Sequence, residues 1–183
     1  MAADFLSDAA APSFDDPLGM LRACHGRIVR QLLTLERLQR HLPEHGCDAD
    51  ARAAARAILR YFDTAAPNHH ADEEASVFPR LTAAVPRQAE GLVAELEAEH
   101  ATLAANWRRL RPLLAGIAAG ASANLSPKLV AAVRTAYDAH IAKEETGLIP
   151  LAAKTFDATT LAEIGAEMAA RRGVDLAASV RIR

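Results

Sequence analysis

The chain has 183 residues, a formal net charge of -2 and 4% aromatic residues, with acidic and basic side chains interleaved. This balance gives no basis for binding nucleic acid or an anionic membrane, and no apolar run is long enough to span a bilayer. Cys24 and Cys47 are too few for a disulfide framework, and the N-terminus lacks the features of a secretory signal. We therefore expect a cytoplasmic protein, and the abundance of alanine over glycine favours helices.

Apolar residues recur at alternating steps of three and four along most of the chain, which indicates amphipathic helices. Asp, Ser or Pro opens these segments, and Pro, Gly or polar residues close them. The predicted helices run from Pro17 to about Pro43, from residues 48–51 to about Ala84, from Pro86 to about Ile117, from Pro127 to about Leu151, and from Asp157 to about Arg172.

Four long helices joined by short loops predict an all-α, up-down-up-down four-helix bundle over residues 16–156. Residues 1–15 are interpreted as a flexible N-terminal arm, and residues 157–183 as an additional short helix and tail. Pro67 lies inside the second predicted helix, and we expect it to kink or interrupt that helix.

Two stretches of the sequence repeat the same order of residues, NHHADEEASVFPRL at 68–81 and AHIAKEETGLIPLA at 139–152. Histidine falls on histidine, glutamate on glutamate and proline on proline in three pairs: His69 and His140, Glu73 and Glu144, Pro79 and Pro150. Residues four apart share one face of a helix, so each stretch presents a histidine and a glutamate to one place. The helix before each stretch carries one more histidine in its apolar seam, His25 or His100.

These polar side chains are all predicted to face the core of the bundle: His25, His69, Glu73, His100, His140 and Glu144. Burying carboxylates without partners costs several kcal/mol per ion as an order of magnitude, and metal ions satisfy imidazoles and carboxylates together. A carboxylate has two oxygens and can bridge two ions, whereas an imidazole offers one nitrogen. We therefore predict a two-metal centre in which each ion has two histidines and shares both glutamates. This donor set suits iron, and also manganese or zinc.

His70 and Glu74 duplicate the chemistry of their neighbours His69 and Glu73. Alignment with the second stretch selects His69 and Glu73 as the inward pair. A change of helical register at Pro67 would instead turn His70 and Glu74 towards the centre, so the sequence leaves this choice open.

The two stretches, each preceded by a helix that bears a histidine in CHGRIV or EHATLA, resemble the hemerythrin-like, or HHE cation-binding, domain. The resemblance covers roughly residues 17–155. It implies a four-helix bundle that holds a non-haem, oxo- or hydroxo-bridged di-iron centre. It also implies the iron ligands, which are His25, His69, Glu73, His100, His140 and Glu144.

Oxygen-carrying members of that family have a fifth histidine on the third helix, four residues from the first, where this chain has Ala104. The pattern is closer to four-histidine members, which resemble proteins associated with iron–sulfur repair after oxidative or nitrosative stress. We expect binding or sensing of O2, NO, peroxide or related small oxidants. The alternatives are an enzyme of reactive-oxygen or NO chemistry, an iron donor in cluster repair, and a metal-stabilised interaction module. The alanine-rich surface permits a homodimer.

Overall fold

The computed structural model describes residues 13–121 and 124–176, in which all regular structure is helical. As predicted, four long helices are followed by one shorter helix. We label them in chain order: α1 Pro17–His45, α2 over 49–84, α3 Pro86–Ala118, α4 over 127–155 and α5 Ala158–Arg171. The predicted all-α bundle is confirmed. None of the helices in the described ranges combines the length and apolarity needed to cross a bilayer.

Side-chain caps fix where several helices begin. The carboxylates of Asp16, Asp48 and Asp157 accept hydrogen bonds from the backbone N–H groups of Gly19, Ala51 and Thr160, respectively. Such caps satisfy N–H groups that lack a partner inside the helix.

Short π-helical turns interrupt the α-helical geometry of α2 and α4 without ending either helix. Helix α2 consists of α-helical segments Ala49–Arg60, Ala66–Asp72 and Phe78–Ala84, separated by π-helical turns Tyr61–Ala65 and Glu73–Val77. Helix α4 consists of Pro127–Lys143, the π-helical turn Glu144–Leu148 and Ile149–Thr155.

Each π-helical turn ends two residues before a proline, namely Pro67, Pro79 or Pro150. Proline donates no backbone hydrogen bond and its ring clashes with the carbonyl group of the preceding turn. A π-helical turn shifts the hydrogen-bond register and accommodates the proline. At Pro67 the expected disturbance takes the form of the π-helical turn Tyr61–Ala65, after which α2 continues through the proline.

The turns also bring the two sequence stretches into the same local conformation. Glu73 and Glu144 each begin a π-helical turn. Their backbone carbonyl groups accept hydrogen bonds from Phe78 and Ile149, the residues directly before the two prolines. The repeated spacing of glutamate and proline thus encodes one helical feature twice, at a kind of turn that is frequent at functional sites.

The core contains two apolar clusters, one towards each end of the bundle. On α1, His25 lies between Leu21 of one cluster and Ile28 of the other. On α3, His100 lies between Leu96 and Leu103 in the same way. A layer of polar side chains therefore crosses the bundle between two apolar layers.

Helix α5 packs against α1 and α2 and buries Ile164 and Met168 in one of the apolar clusters. Gly165 permits the backbone of Phe14 to approach this helix, because a Cβ atom at residue 165 would clash with the Phe14 carbonyl oxygen. Most of the predicted N-terminal arm and the end of the predicted tail, residues 1–12 and 177–183, lie outside the described residues.

Candidate metal centre

Four helices bring all six predicted side chains together in the polar layer. Helix α1 supplies His25, α3 supplies His100, and α2 and α4 supply one histidine and one glutamate each. No more than 5% of any of these residues is exposed to solvent: His25, His69, Glu73, His100, His140 and Glu144. Such burial of ionisable groups is rare unless each group has a partner.

The six side chains form two groups whose donor atoms lie within 4.8 Å of one another. The first group contains His25, His69, Glu73 and Glu144. The second group contains Glu73, His100, His140 and Glu144. Both glutamates belong to both groups, which is the arrangement needed for two carboxylates that bridge two ions.

Each glutamate turns one oxygen towards each group. In the first group, Glu144 Oε2 lies 2.8 Å from His25 Nε2, and Glu73 Oε1 lies 3.4 Å from His69 Nε2. In the second, Glu144 Oε1 lies 2.9 Å from His140 Nε2, and Glu73 Oε2 lies 3.3 Å from His100 Nε2. Neighbouring ligands bound at about 2.1 Å to one ion lie about 3 Å apart, so these spacings suit coordination.

The inward-facing atoms have no hydrogen-bond partner among the described residues, although several pairs lie at contact distance. This holds for both carboxylate oxygens of Glu73 and Glu144 and for the Nε2 atoms of His25, His69, His100 and His140. Leaving one such buried atom unsatisfied costs about 1–3 kcal/mol. Imidazole nitrogens and carboxylate oxygens are ligands of transition-metal ions, so the residues fit the pair of ions that the sequence predicts.

Three further carboxylates contact the Nδ1 atoms of three of the histidines, on the side of each ring that faces away from the centre. Glu145 lies 2.6 Å from His25 Nδ1, and Glu74 lies 2.6 Å from His100 Nδ1. When the Nδ1–H group donates to a carboxylate, the lone pair of Nε2 faces the centre, as in many metal sites.

Glu99 contacts His140 in the same way, with a carboxylate oxygen 2.9 Å from the Nδ1 atom of His140. Lys143 in turn donates to Glu99 over 2.6 Å. This chain of contacts fixes the orientation of the His140 ring from the outer side of the bundle.

Sequence reasoning did not find the role of Glu74 and Glu145. In each Glu-Glu pair, the first side chain faces the centre and the second contacts the seam histidine of the other half: Glu74 contacts His100, and Glu145 contacts His25. The repetition of the pair was the available signal. The side chain of Glu74 is 48% exposed, whereas that of Glu73 is fully buried, so the structure turns Glu73 inward.

Without metal, the buried groups shift one another's pKa values, which favours bound protons at some of them. Burial, followed by repulsion from Glu144, raises the pKa of Glu73 well above its usual range. Burial alone would raise the pKa of Glu144, but contacts with His140 and His25 lower it well below the usual range. Burial likewise opposes protonation of His25, yet Glu144 and Glu145 outweigh it and raise the His25 pKa. Bound cations would take the place of these protons.

His70 does not replace His69 in the structure but lies beside the second group. Its ring nitrogen groups with those of His100 and His140, within 4.8 Å. Burial, with a smaller contribution from His100 and His140, lowers the His70 pKa to about 3.

A surface cavity of about 180 Å³ reaches the cluster at His70. Its other walls are mostly apolar and come from α2, α3 and α4: Phe62, Ala66, Pro67, Leu103, Ala104, Trp107 and Tyr137. A water molecule occupies about 30 Å³ of liquid, so the cavity has room for a diatomic molecule or peroxide.

The fold and the polar layer define a helical-bundle protein with a candidate metal-binding cluster in its core. The hemerythrin HHE cation binding domain matches residues 16–152, and the chain belongs to this family. The chain is also similar to an uncharacterized protein of Haemophilus influenzae, with 35% identity over 162 residues. That similarity covers 88% of this chain and 93% of the relative.

Proposed function

We propose that the chain is a non-haem di-iron protein that binds or senses O2, NO or related small oxidants. The proposed ligands are the six residues of the two groups, with Glu73 and Glu144 as bridges. The main support for the proposal is the orientation of Glu73 and Glu144. Each carboxylate directs one oxygen towards the histidines of the first group and the other oxygen towards those of the second. When bound, the ions supply positions not taken by protein donors, where a small oxidant can bind and exchange electrons.

Iron is the proposed metal because four imidazoles and two carboxylates suit a borderline ion that keeps open positions. The resemblance to hemerythrin-like proteins implies a di-iron centre, and it is the reason to choose iron over manganese and zinc. The donor set alone accepts all three metals, so the proposal is tested by the metal that the purified protein contains.

The residues around the centre exclude bulk water from it and limit the size of the molecules that can reach it. The cluster is buried between two apolar layers, and the cavity that reaches it at His70 is lined chiefly by apolar side chains. Such surroundings favour small, weakly hydrated molecules over larger polar metabolites. Outer carboxylates Glu74, Glu99 and Glu145 hold three rings in place, so binding requires little rearrangement.

Titration of the reduced, iron-loaded protein with O2 and with NO tests the function. Reversible changes in the absorption spectrum support binding or sensing. Continuous consumption of O2, NO or peroxide, with many turnovers per protein, would favour an enzyme of reactive-oxygen or NO chemistry. Inertness to all three, with loss of the fold on metal removal, would favour a structural site instead.

We also propose that the protein is cytoplasmic. Cys24 and Cys47 are both unpaired in the structure, as reducing compartments favour. Fractionation of cells that express the chain with its own N-terminus checks this location.

A further inference from the structure

His70 carries a buried polar atom that the six-residue centre leaves without a role. Its Nε2 atom is buried and has no hydrogen-bond partner among the described residues. A ring nitrogen of His70 lies within 4.8 Å of those of His100 and His140, both in the second group. Buried polar atoms without a partner are uncommon and call for a ligand or an ion.

We propose that His70 is a third histidine ligand of the ion in the second group. This inference rests on the proposed function, because it assumes that the two groups hold metal. With His70 bound, the second ion would have five protein residues as ligands, namely three histidines and the two shared glutamates. The first ion would have four, namely His25, His69 and the same glutamates. The centre is then asymmetric, although the sequence repeat predicts a symmetric one.

Coordination by both His70 and His100 requires the His70 ring to turn from its position in the structure. The His70 and His100 rings are stacked, with centroids 4.0 Å apart and planes at 16°. An imidazole binds a metal along its own plane, so two nearly parallel rings cannot both point at one ion without tilting. Glu74 holds the His100 ring in place, whereas His70 borders the cavity of about 180 Å³. The cavity gives the His70 ring room to turn.

Adjacent residues of α2 would therefore serve different ions. Consecutive positions of an α-helix differ by about 100°, so neighbouring side chains diverge. His69 faces the first group, where it meets the His25 ring edge to face at 5.0 Å between centroids. His70 faces the second group, where it meets His100.

The wild-type protein loaded anaerobically with ⁵⁷Fe(II) gives the first test. Mössbauer spectroscopy should resolve two iron environments of equal area, because the two ions have different numbers of histidine ligands. A single environment, with two irons bound per chain, would overturn the inference. This measurement needs no substitution and is independent of folding effects in a variant.

His70→Leu provides the second test, since leucine keeps comparable bulk and removes both ring nitrogens. The variant should still bind two irons through the remaining ligands, while the signal of the second environment shifts and that of the first stays unchanged. His45→Leu is the matched control, because its side chain is 55% exposed and lies away from the polar layer. Identical wild-type and His70→Leu spectra would contradict a ligand role for His70.

The two proposals fail in different ways. Absence of bound iron, manganese or zinc in the wild-type chain would contradict the proposed function and this inference together. Two irons that react with O2 or NO, combined with spectra insensitive to His70→Leu, would contradict only the inference.

Discussion

Asp72 and Arg172 connect the C-terminal helix directly to the part of α2 that carries the candidate ligands. Arg172 donates to both carboxylate oxygens of Asp72, over 2.6 Å through Nη2 and 3.1 Å through Nη1. Arg171 donates to the same carboxylate and to Ser76. Asp72 is buried and directly precedes Glu73, so α5 is linked to the polar layer by charged hydrogen bonds.

The variant Arg171→Ala/Arg172→Ala should lower the free energy of unfolding by about 3 kcal/mol, because it leaves a buried carboxylate without its partners. Urea denaturation measures the change. Arg108→Ala/Arg109→Ala, which alters two exposed arginines of α3, should shift the free energy by less than about 1 kcal/mol. Equal losses in the two variants would show that Asp72 is not an anchor for α5.

Loss of a bridging carboxylate should lower the amount of bound metal. Glu73→Ala and Glu144→Ala each remove one oxygen ligand from both groups, so fewer than two ions should remain per chain. Elemental analysis after identical purification gives the count. The control Glu97→Ala removes an exposed glutamate of α3 and should keep the wild-type value. Full occupancy in both bridge variants would contradict the shared arrangement.

The outer carboxylates should affect metal affinity without being ligands. Glu74→Ala and Glu145→Ala free the rings of His100 and His25, and each should weaken metal binding about 10–100-fold. Glu74→Gln and Glu145→Gln keep an oxygen that accepts the Nδ1–H hydrogen bond, and should restore most of the affinity. Competition with a coloured chelator measures the affinities. Alanine and glutamine variants of equal affinity would exclude the orienting role.

Metal removal should destabilise the bundle, because it leaves the inward-facing nitrogens and oxygens buried without ligands or hydrogen bonds. Metal present at about 100 times its dissociation constant should add about 2.7 kcal/mol to the free energy of unfolding. Thermal denaturation with and without chelator, followed by re-addition of iron, measures the difference. A melting temperature that changes neither with chelator nor on re-addition of iron would argue against metal in the core.

The sequence predicted the elements whose signals are local and periodic. Seam positions at steps of three and four located the four long helices, and Asp16 and Asp157 were identified as caps that the structure contains. Alignment of the two stretches favoured His69 and Glu73 but left the register after Pro67 open, and the structure turns both side chains inward.

The features that the sequence did not predict depend on contacts between distant segments. Pro67 resembles a helix breaker in isolation, and the π-helical turn that accommodates it has no simple sequence period. Glu145 contacts His25 across the bundle, a pairing that only the packing of α4 against α1 creates. The position of His70 beside His100 likewise follows from how α2 meets α3.

The number of metal ions bound per chain distinguishes a dinuclear centre from a core without metal. The protein should be purified without chelator, reloaded anaerobically with Fe(II), freed of unbound metal and analysed for iron, manganese and zinc. We expect close to two irons per chain. A chain that retains no metal after this treatment, while remaining folded, would contradict a dinuclear centre at Glu73 and Glu144.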